Sequence, residues 1–147
     1  MEFSSIVISP GPGIPSNSGV CMDLIEKYHN KLPILGICLG FQAIGEFFGA
    51  ELVKAKIPMH GKTSSLEILN KGRLFKDLAN EIEVMRYHSL ILQNLPEELQ
   101  LLCKTQLNEP MAFEHESLPL AGVQFHPESI LTKDGITILK NWFNSLN

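Results

Sequence analysis

The sequence predicts an α/β fold built on a mixed sheet flanked by helices. Three observations carry this reading. The chain opens with two short apolar runs, each ending at a glycine-containing turn and each followed by an amphipathic segment. The middle holds five short strand candidates separated by turn residues. The chain then returns to one apolar run and closes on a last amphipathic segment. Strand, helix, strand, helix implies parallel strands with right-handed crossovers, whereas closely spaced short strands suit a meander or an antiparallel extension.

The elements follow in order. Ser4-Ser5-Ile6-Val7-Ile8-Ser9 is β-branched and apolar and runs into Pro10-Gly11-Pro12-Gly13, so it predicts a buried strand ending in a tight loop. Ser18 is a candidate cap for a helix with Val20, Leu24, Ile25 and Tyr28 on one face. Pro33 stops that helix, and Ile34-Leu35-Gly36-Ile37 predicts the next buried strand. A second helix begins near Gly40, turns Phe41, Ile44, Phe47 and Phe48 inward, and ends at Gly49. Residues 51–57, 64–69, 82–87, 99–105 and 110–115 are the middle strands, broken at Asn70-Lys71-Gly72, Asn94 and Asn108-Glu109-Pro110. Ala121-Gly122-Val123-Gln124-Phe125 predicts the returning buried strand. The final helix places Ile136, Leu139, Phe143 and Leu146 on one side, to pack against the sheet.

Composition narrows the function classes. The 147 residues suit one domain, and 44% hydrophobic with 19% charged residues is a globular composition. The net charge is −4 and no Lys/Arg cluster stands out, which argues against a nucleic-acid partner. No apolar run approaches the ~20 residues that span a bilayer, and Met1-Glu2-Phe3-Ser4-Ser5 does not begin a signal peptide. Three cysteines at wide spacing make no disulfide framework. The expectation is a cytoplasmic protein in a reducing compartment, with no membrane association.

The sharpest local signal is Gly36-Ile37-Cys38-Leu39-Gly40. It sets a nucleophile-capable side chain between an apolar strand and a helix, with glycine two positions before and two after. That is the frame of a nucleophile elbow, a strained turn whose flanking positions have no room for bulk. The helix start favours the thiolate and should lower the pKa of Cys38. The Leu39 N–H, just after it, is placed to stabilise an oxyanion. A free cysteine is ordinarily a small buried hydrophobe, and Cys21 and Cys103, inside apolar patterns, are assigned to the core on that ground. The glycine frame argues otherwise for Cys38.

A cysteine nucleophile needs a base, and the base needs an orienting group. His126 ends the strand at Gly122–Phe125, and C-terminal strand ends of a parallel sheet gather along one edge, where ligands bind. Glu128, two residues on, could accept the second imidazole N–H. His-Pro-Glu alone is weak and would fit a surface loop; paired with the elbow it becomes a triad candidate. Metal binding finds no ligand pattern, since His29, His60, His88 and His115 are scattered and Cys-x-x-Cys is absent. His29 is expected on an exposed helix end. The Pro10–Gly13 loop could be a plain turn or a place of close backbone approach to a ligand, and it is not a phosphate loop.

Five segments together resemble the class I glutamine amidotransferases: Ser9-Pro10-Gly11-Pro12-Gly13, Gly36 to Gln42, His60-Gly61-Lys62-Thr63-Ser64, Arg86-Tyr87-His88-Ser89-Leu90 and Gly122 to Ser129. The resemblance covers essentially the whole chain and is strongest to the small subunits of anthranilate synthase and aminodeoxychorismate synthase. It implies a flavodoxin-like fold and hydrolysis of L-glutamine to glutamate, with ammonia passed to a chorismate-using synthase component I. It implies Cys38 as nucleophile, His126 as general base and acid, and Glu128 as its orienting partner. The N–H groups of Gly13 and Leu39 would form the oxyanion hole. Gly11, Pro12, Gly13, Gln42, Ser89 and Leu90 would hold the glutamine. No cofactor is implied in this subunit, Mg2+ being expected only in the synthase partner. The product could be anthranilate, for tryptophan, or aminodeoxychorismate, for folate. A non-catalytic binding subunit or an unrelated cysteine hydrolase of similar fold are the other readings.

One departure from the family pattern is large. Its members normally begin with about 45 further residues, a strand–helix–strand unit, so residues 1–147 are expected to form an N-terminally truncated glutamine amidotransferase domain. A late start, a split gene or a true truncation would each produce this. Without those strands, the strand at residues 4–9 is expected to keep an open edge, which invites self-association.

Overall fold

The structure, a computed structural model, describes residues 2–147. Its elements are β1 (Ile6–Ile8), α1 (Val20–Tyr28), β2 (Ile34–Ile37), α2 (Leu39–Phe47), β3 (Glu51–Ile68), β4 (Glu81–Gln93), β5 (Leu99–Lys104), β6 (Pro110–His115), β7 (Leu120–Val123) and α3 (Gly135–Asn144). The strands form one sheet in the order β1-β2-β7-β6-β5-β3-β4. The β1, β2 and β7 neighbours pair in parallel, and every pairing from β7 onward through β6, β5, β3 and β4 is antiparallel. This is the mixed α/β sheet that the sequence predicts, with the parallel part made by the crossover helices.

Side-chain alternation along the strands sorts the interior into two cores. Ile34, Leu120 and Phe113 pack with Phe41 and Ile44 of α2 and Ile25 of α1. Leu35, Ile37, Ala121 and Val123 pack with Ile138 and Trp142 of α3. Phe41 stacks on Phe113 with ring centroids 4.6 Å apart. A Cβ at Gly122 would lie 2.9 Å from one of these rings and 3.0 Å from the other. Among the described residues, no helix is long and apolar enough to cross a membrane.

Five element assignments need correction. The run at residues 4–9 is not a buried strand: β1 pairs only with β2 at the edge of the sheet, which leaves Val7 exposed and Ile8 alone buried. Residues 51–57 and 64–69 belong to one continuous strand, β3, because Pro58 and Gly61 fall at register shifts that absorb them: between Lys54 and Met59, and between His60 and Lys62. Strand β4 runs on through Leu90 to Gln93 for the same reason, having a long partner. Ser18 does not cap α1; its hydroxyl donates to Pro15 O (2.6 Å) and closes a 3-10 turn at Pro15–Asn17, leaving Gly19 as the cap residue and Val20 exposed. In α3 the buried stripe is Ile138 and Trp142 with Leu139 and Leu146 behind them, while Ile136 and Phe143 face solvent. Leu139 and Leu146 are common to the expected and the observed stripe, and the indole of Trp142, which offers a larger apolar area than Phe143, turns inward with Ile138.

Cys103 is buried in the core. Cys21 is half-buried against the α1–α2 core. His29 ends α1 but is not free: its ring lies against Phe47, centroids 4.9 Å apart.

Candidate active site

The chain passes from β2 into α2 at Cys38, whose backbone has φ 53° and ψ −98°. Such a conformation costs a non-glycine residue about 1–3 kcal/mol and persists only where the surroundings over-determine it. Here the Cys38 N–H donates to Val123 O (2.8 Å), and Cys38 O accepts from the Gln42 N–H (3.1 Å). A Cβ on Gly36 would lie 2.4 Å from the Gly40 carbonyl carbon, and one on Gly40 would lie 2.5 Å from Ile8 O. Both glycines of the frame are therefore demanded by backbone contact.

The sulfur is 3.7 Å from Tyr87 O, to which the thiol donates, and 3.6 Å from Gln124 Nε2, from which it accepts. Burial pushes the Cys38 pKa up to about 11; the Leu39 N–H and the Gln124 amide lower it, and the Glu128 carboxylate raises it. The lowered pKa expected from the helix start is thus overturned. The N–H at the start of α2 acts in the expected direction, but removing the sulfur from water outweighs it. Iodoacetamide labelling of Cys38 in the isolated chain should therefore keep rising, close to tenfold per pH unit, from pH 7 to pH 10. A rate that levels off near pH 8 would contradict this.

A cavity of about 160 Å3 opens beside the sulfur. Gly11, Pro12 and Gly13 line it from the loop after β1, and Cys38, Leu39 and Gln42 from the start of α2. Ser89 and Leu90 line it from β4, with His60, Tyr87 and His88 beside them. All six residues expected to hold a ligand thus border one space with Cys38. Ser89 has no partner in the β3–β4 register, because residues 55–58 bulge away between Lys54, paired with Leu90, and Met59, paired with His88.

His126 and Glu128 lie just beyond β7. The His126 N–H donates to Met85 O (3.0 Å), and its carbonyl accepts from the Thr132 hydroxyl (2.7 Å), which also accepts from the Met85 N–H (3.0 Å). His126 Nδ1 is 2.6 Å from Glu128 Oε1. A carboxylate only accepts, so Nδ1 carries the proton and Nε2 is left as the basic nitrogen. That Nε2 is buried without a hydrogen-bond partner. The structure thus joins His126 to Glu128 and joins Cys38 to the cavity, while the sulfur bonds to Tyr87 and Gln124 rather than to the imidazole.

Sequence reasoning assigned no role to His88, Gln124 or Thr132. A polar side chain inside an otherwise apolar run is the available signal for Gln124, whereas His88, between Tyr87 and Ser89, carries none. His88 is buried, and burial lowers its pKa to about 4, with the Arg86 charge adding to the fall. A depressed histidine pKa means that the unfolded chain binds more protons, so stability is full above the ordinary value of 6.5 and is lost as pH falls toward 4. Urea unfolding at pH 7, 6 and 5 should show a loss on the order of 1 kcal/mol per pH unit below 6.5. His88→Gln should flatten that slope; an unchanged slope would refute it.

Residues 1–146 match the family model of the class-I glutamine amidotransferases. The chain belongs to that family. It is 48% identical to anthranilate synthase component 2 of Pseudomonas aeruginosa, over 93% of this chain and 71% of that protein. It is 42% identical to aminodeoxychorismate/anthranilate synthase component 2 of Bacillus subtilis, over 95% of this chain and 73% of that one. It is 46% identical to the bifunctional protein TrpGD of Thermotoga maritima, over 95% of this chain, which spans only 24% of that longer protein. Among solved structures, a candidate GMP synthase protein of Thermoplasma acidophilum superposes with a TM-score of 0.88 at 32% identity, covering 97% of this chain and 72% of that one. The sheet described above is thus the flavodoxin-like sheet of a class I glutamine amidotransferase. Within it the strand-to-helix turn at Cys38 and the imidazole–carboxylate pair at His126 lie beyond the ends of the neighbouring strands β2 and β7.

Proposed function

We propose that this chain is the glutaminase component of a chorismate-using synthase, with Cys38 as nucleophile, His126 as general base and acid, and Glu128 as the group that orients it. The observation that carries the reading is the cavity at Cys38, walled by the Gly11–Gly13 loop and the unpaired Ser89 backbone. The thiol gives its proton to His126 Nε2, and the sulfur attacks the side-chain amide carbon of glutamine. The N–H groups of Leu39 and Gly13 receive the oxyanion. The His126 proton goes to the departing nitrogen, ammonia leaves, and water then cleaves the thioester to release glutamate. Glu128 keeps the Nδ1 proton in place throughout. No cofactor enters this half-reaction, and Mg2+ is assigned to the synthase partner.

The high thiol pKa supports a role for that partner. A sulfur held as a thiol turns over slowly, so docking of component I should favour the arrangement that completes the oxyanion hole. The deciding experiment supplies the chain with component I of anthranilate synthase, or of aminodeoxychorismate synthase, and measures glutamate and product. A rise in kcat/KM for glutamine with component I and chorismate is expected, with anthranilate formed. Full activity alone, unchanged by either partner, would argue for a stand-alone hydrolase. Aminodeoxychorismate is the second reading, favoured by the double name of the Bacillus subtilis relative.

The two supporting residues should differ in size of effect. His126→Ala removes proton transfer, worth about 10²–10⁴-fold in kcat. Glu128→Gln removes charge support and orientation, and should lose less. Wild-type rates in both variants would eliminate the triad.

A further inference from the structure

A chain of directed hydrogen bonds ends on the Cys38 sulfur. Arg86 is buried, its guanidinium paired with Glu109 (3.2 Å) and its Nε donating to His88 Nε2 (3.1 Å). Arginine only donates, so His88 carries its proton on Nδ1 and gives it to Leu90 O (2.8 Å). The same carbonyl accepts from Gln42 Nε2 (3.3 Å), and that nitrogen also donates to Gln124 Oε1 (3.1 Å). A carbonyl oxygen only accepts, so the orientation of the Gln42 amide is fixed by Leu90, and the orientation of the Gln124 amide is fixed by Gln42. Gln124 has no freedom to flip. It must present Nε2, a donor, to the sulfur 3.6 Å away.

We propose that Gln124 is the side chain that stabilises the Cys38 thiolate, and that Gln42 is a positioning residue that holds the Gln124 amide with its donor toward the sulfur. This rests on Cys38 as the nucleophile and adds a group that touches the reacting atom. It also gives Gln42 a task besides holding glutamine, because both of its amide hydrogens are engaged within the protein. A neutral donor offsets desolvation of a buried anion without adding a charge. The Glu128 carboxylate acts against the thiolate. Tyr87 and His88 from β4 and His60 from β3 are the other ionisable groups on the cavity wall, and His126 is bound to Glu128.

The test measures iodoacetamide labelling of Cys38 in the full chain at about pH 8.5, by mass spectrometry of the peptide that contains it. Gln124→Met keeps the side-chain length and removes the donor; Gln42→Met keeps the donor and removes what orients it. Each should slow labelling by about three- to tenfold, the upper figure being one pKa unit and the lower one allowing for the greater nucleophilicity of a more basic thiolate. Loosening of the site would expose the sulfur and speed labelling, so the sign separates donor loss from disruption. An unchanged or faster rate in Gln124→Met, with wild-type circular dichroism, overturns the proposal. Should Gln124→Met fail to fold, an unchanged rate in Gln42→Met overturns it instead. Labelling needs no glutamine turnover: slowed labelling in a chain without glutaminase activity would uphold the donor while the catalytic reading fell.

Discussion

Cys38→Ser is expected to abolish glutamine-dependent activity, by about 10⁴-fold or more, while leaving a complex with component I able to use added ammonia. The serine hydroxyl fits the same elbow, and the φ 53° turn that holds the side chain depends on Gly36 and Gly40 rather than on sulfur. What is lost is the thiolate, since a hydroxyl in a site that already pushes a thiol to about 11 will not ionise. Cys103 is buried away from solvent and its own pKa is also driven upward by burial, so it offers no substitute nucleophile. A glutamine-like electrophile should label Cys38 alone. Labelling of Cys103 with Cys38 spared would overturn the assignment, and loss of the ammonia-dependent reaction in Cys38→Ser would point to misfolding.

Gly36→Ala should strongly destabilise the strand-to-helix turn that holds Cys38. Its added methyl would meet the backbone of α2 at 2.4 Å from the Gly40 carbonyl carbon, 2.5 Å from that carbonyl oxygen and 2.7 Å from the Phe41 nitrogen. Flexible side chains can yield to such a contact; three backbone atoms at the start of a helix cannot without moving the elbow. Overpacking of this kind costs about 3 kcal/mol or more, equivalent to a melting temperature lower by roughly 6–12 °C for a chain of this size. Gly13→Ala is the useful contrast, because no atom lies within 4 Å of a Cβ there and only its φ of +83° resists the change. Equal melting temperatures for Gly36→Ala and the wild type would show that the strand-to-helix turn is far looser than the contacts indicate.

Much of this protein is local and was therefore readable. A β-branched run ending in Pro-Gly-Pro-Gly and a glycine-framed cysteine before an apolar helix each draw their meaning from a few neighbouring residues, because backbone sterics and strand or helix periods act at that range. The pairing of His126 with Glu128 was legible for the same reason, the two lying two positions apart across Pro127. The inward stripe of α3 was not, since Leu139 and Leu146 belong to either stripe and only the facing core chooses Ile138 and Trp142 over Ile136 and Phe143.

What the sequence by itself determined is the alternation of strands and helices, the strand-to-helix turn at Cys38 and the residue types that the fold gathers around it. Tertiary structure decided the rest: that β3 stays continuous through Pro58 and Gly61, that its bulge frees Ser89, that burial rather than the helix start sets the Cys38 thiol, and that Gln124, just past β7, reaches the sulfur from far along the chain. Each of these depends on which groups exclude water from which others. Desolvation and directed hydrogen bonds between distant segments have no period in a sequence, and they come into being only when β7 closes beside β2.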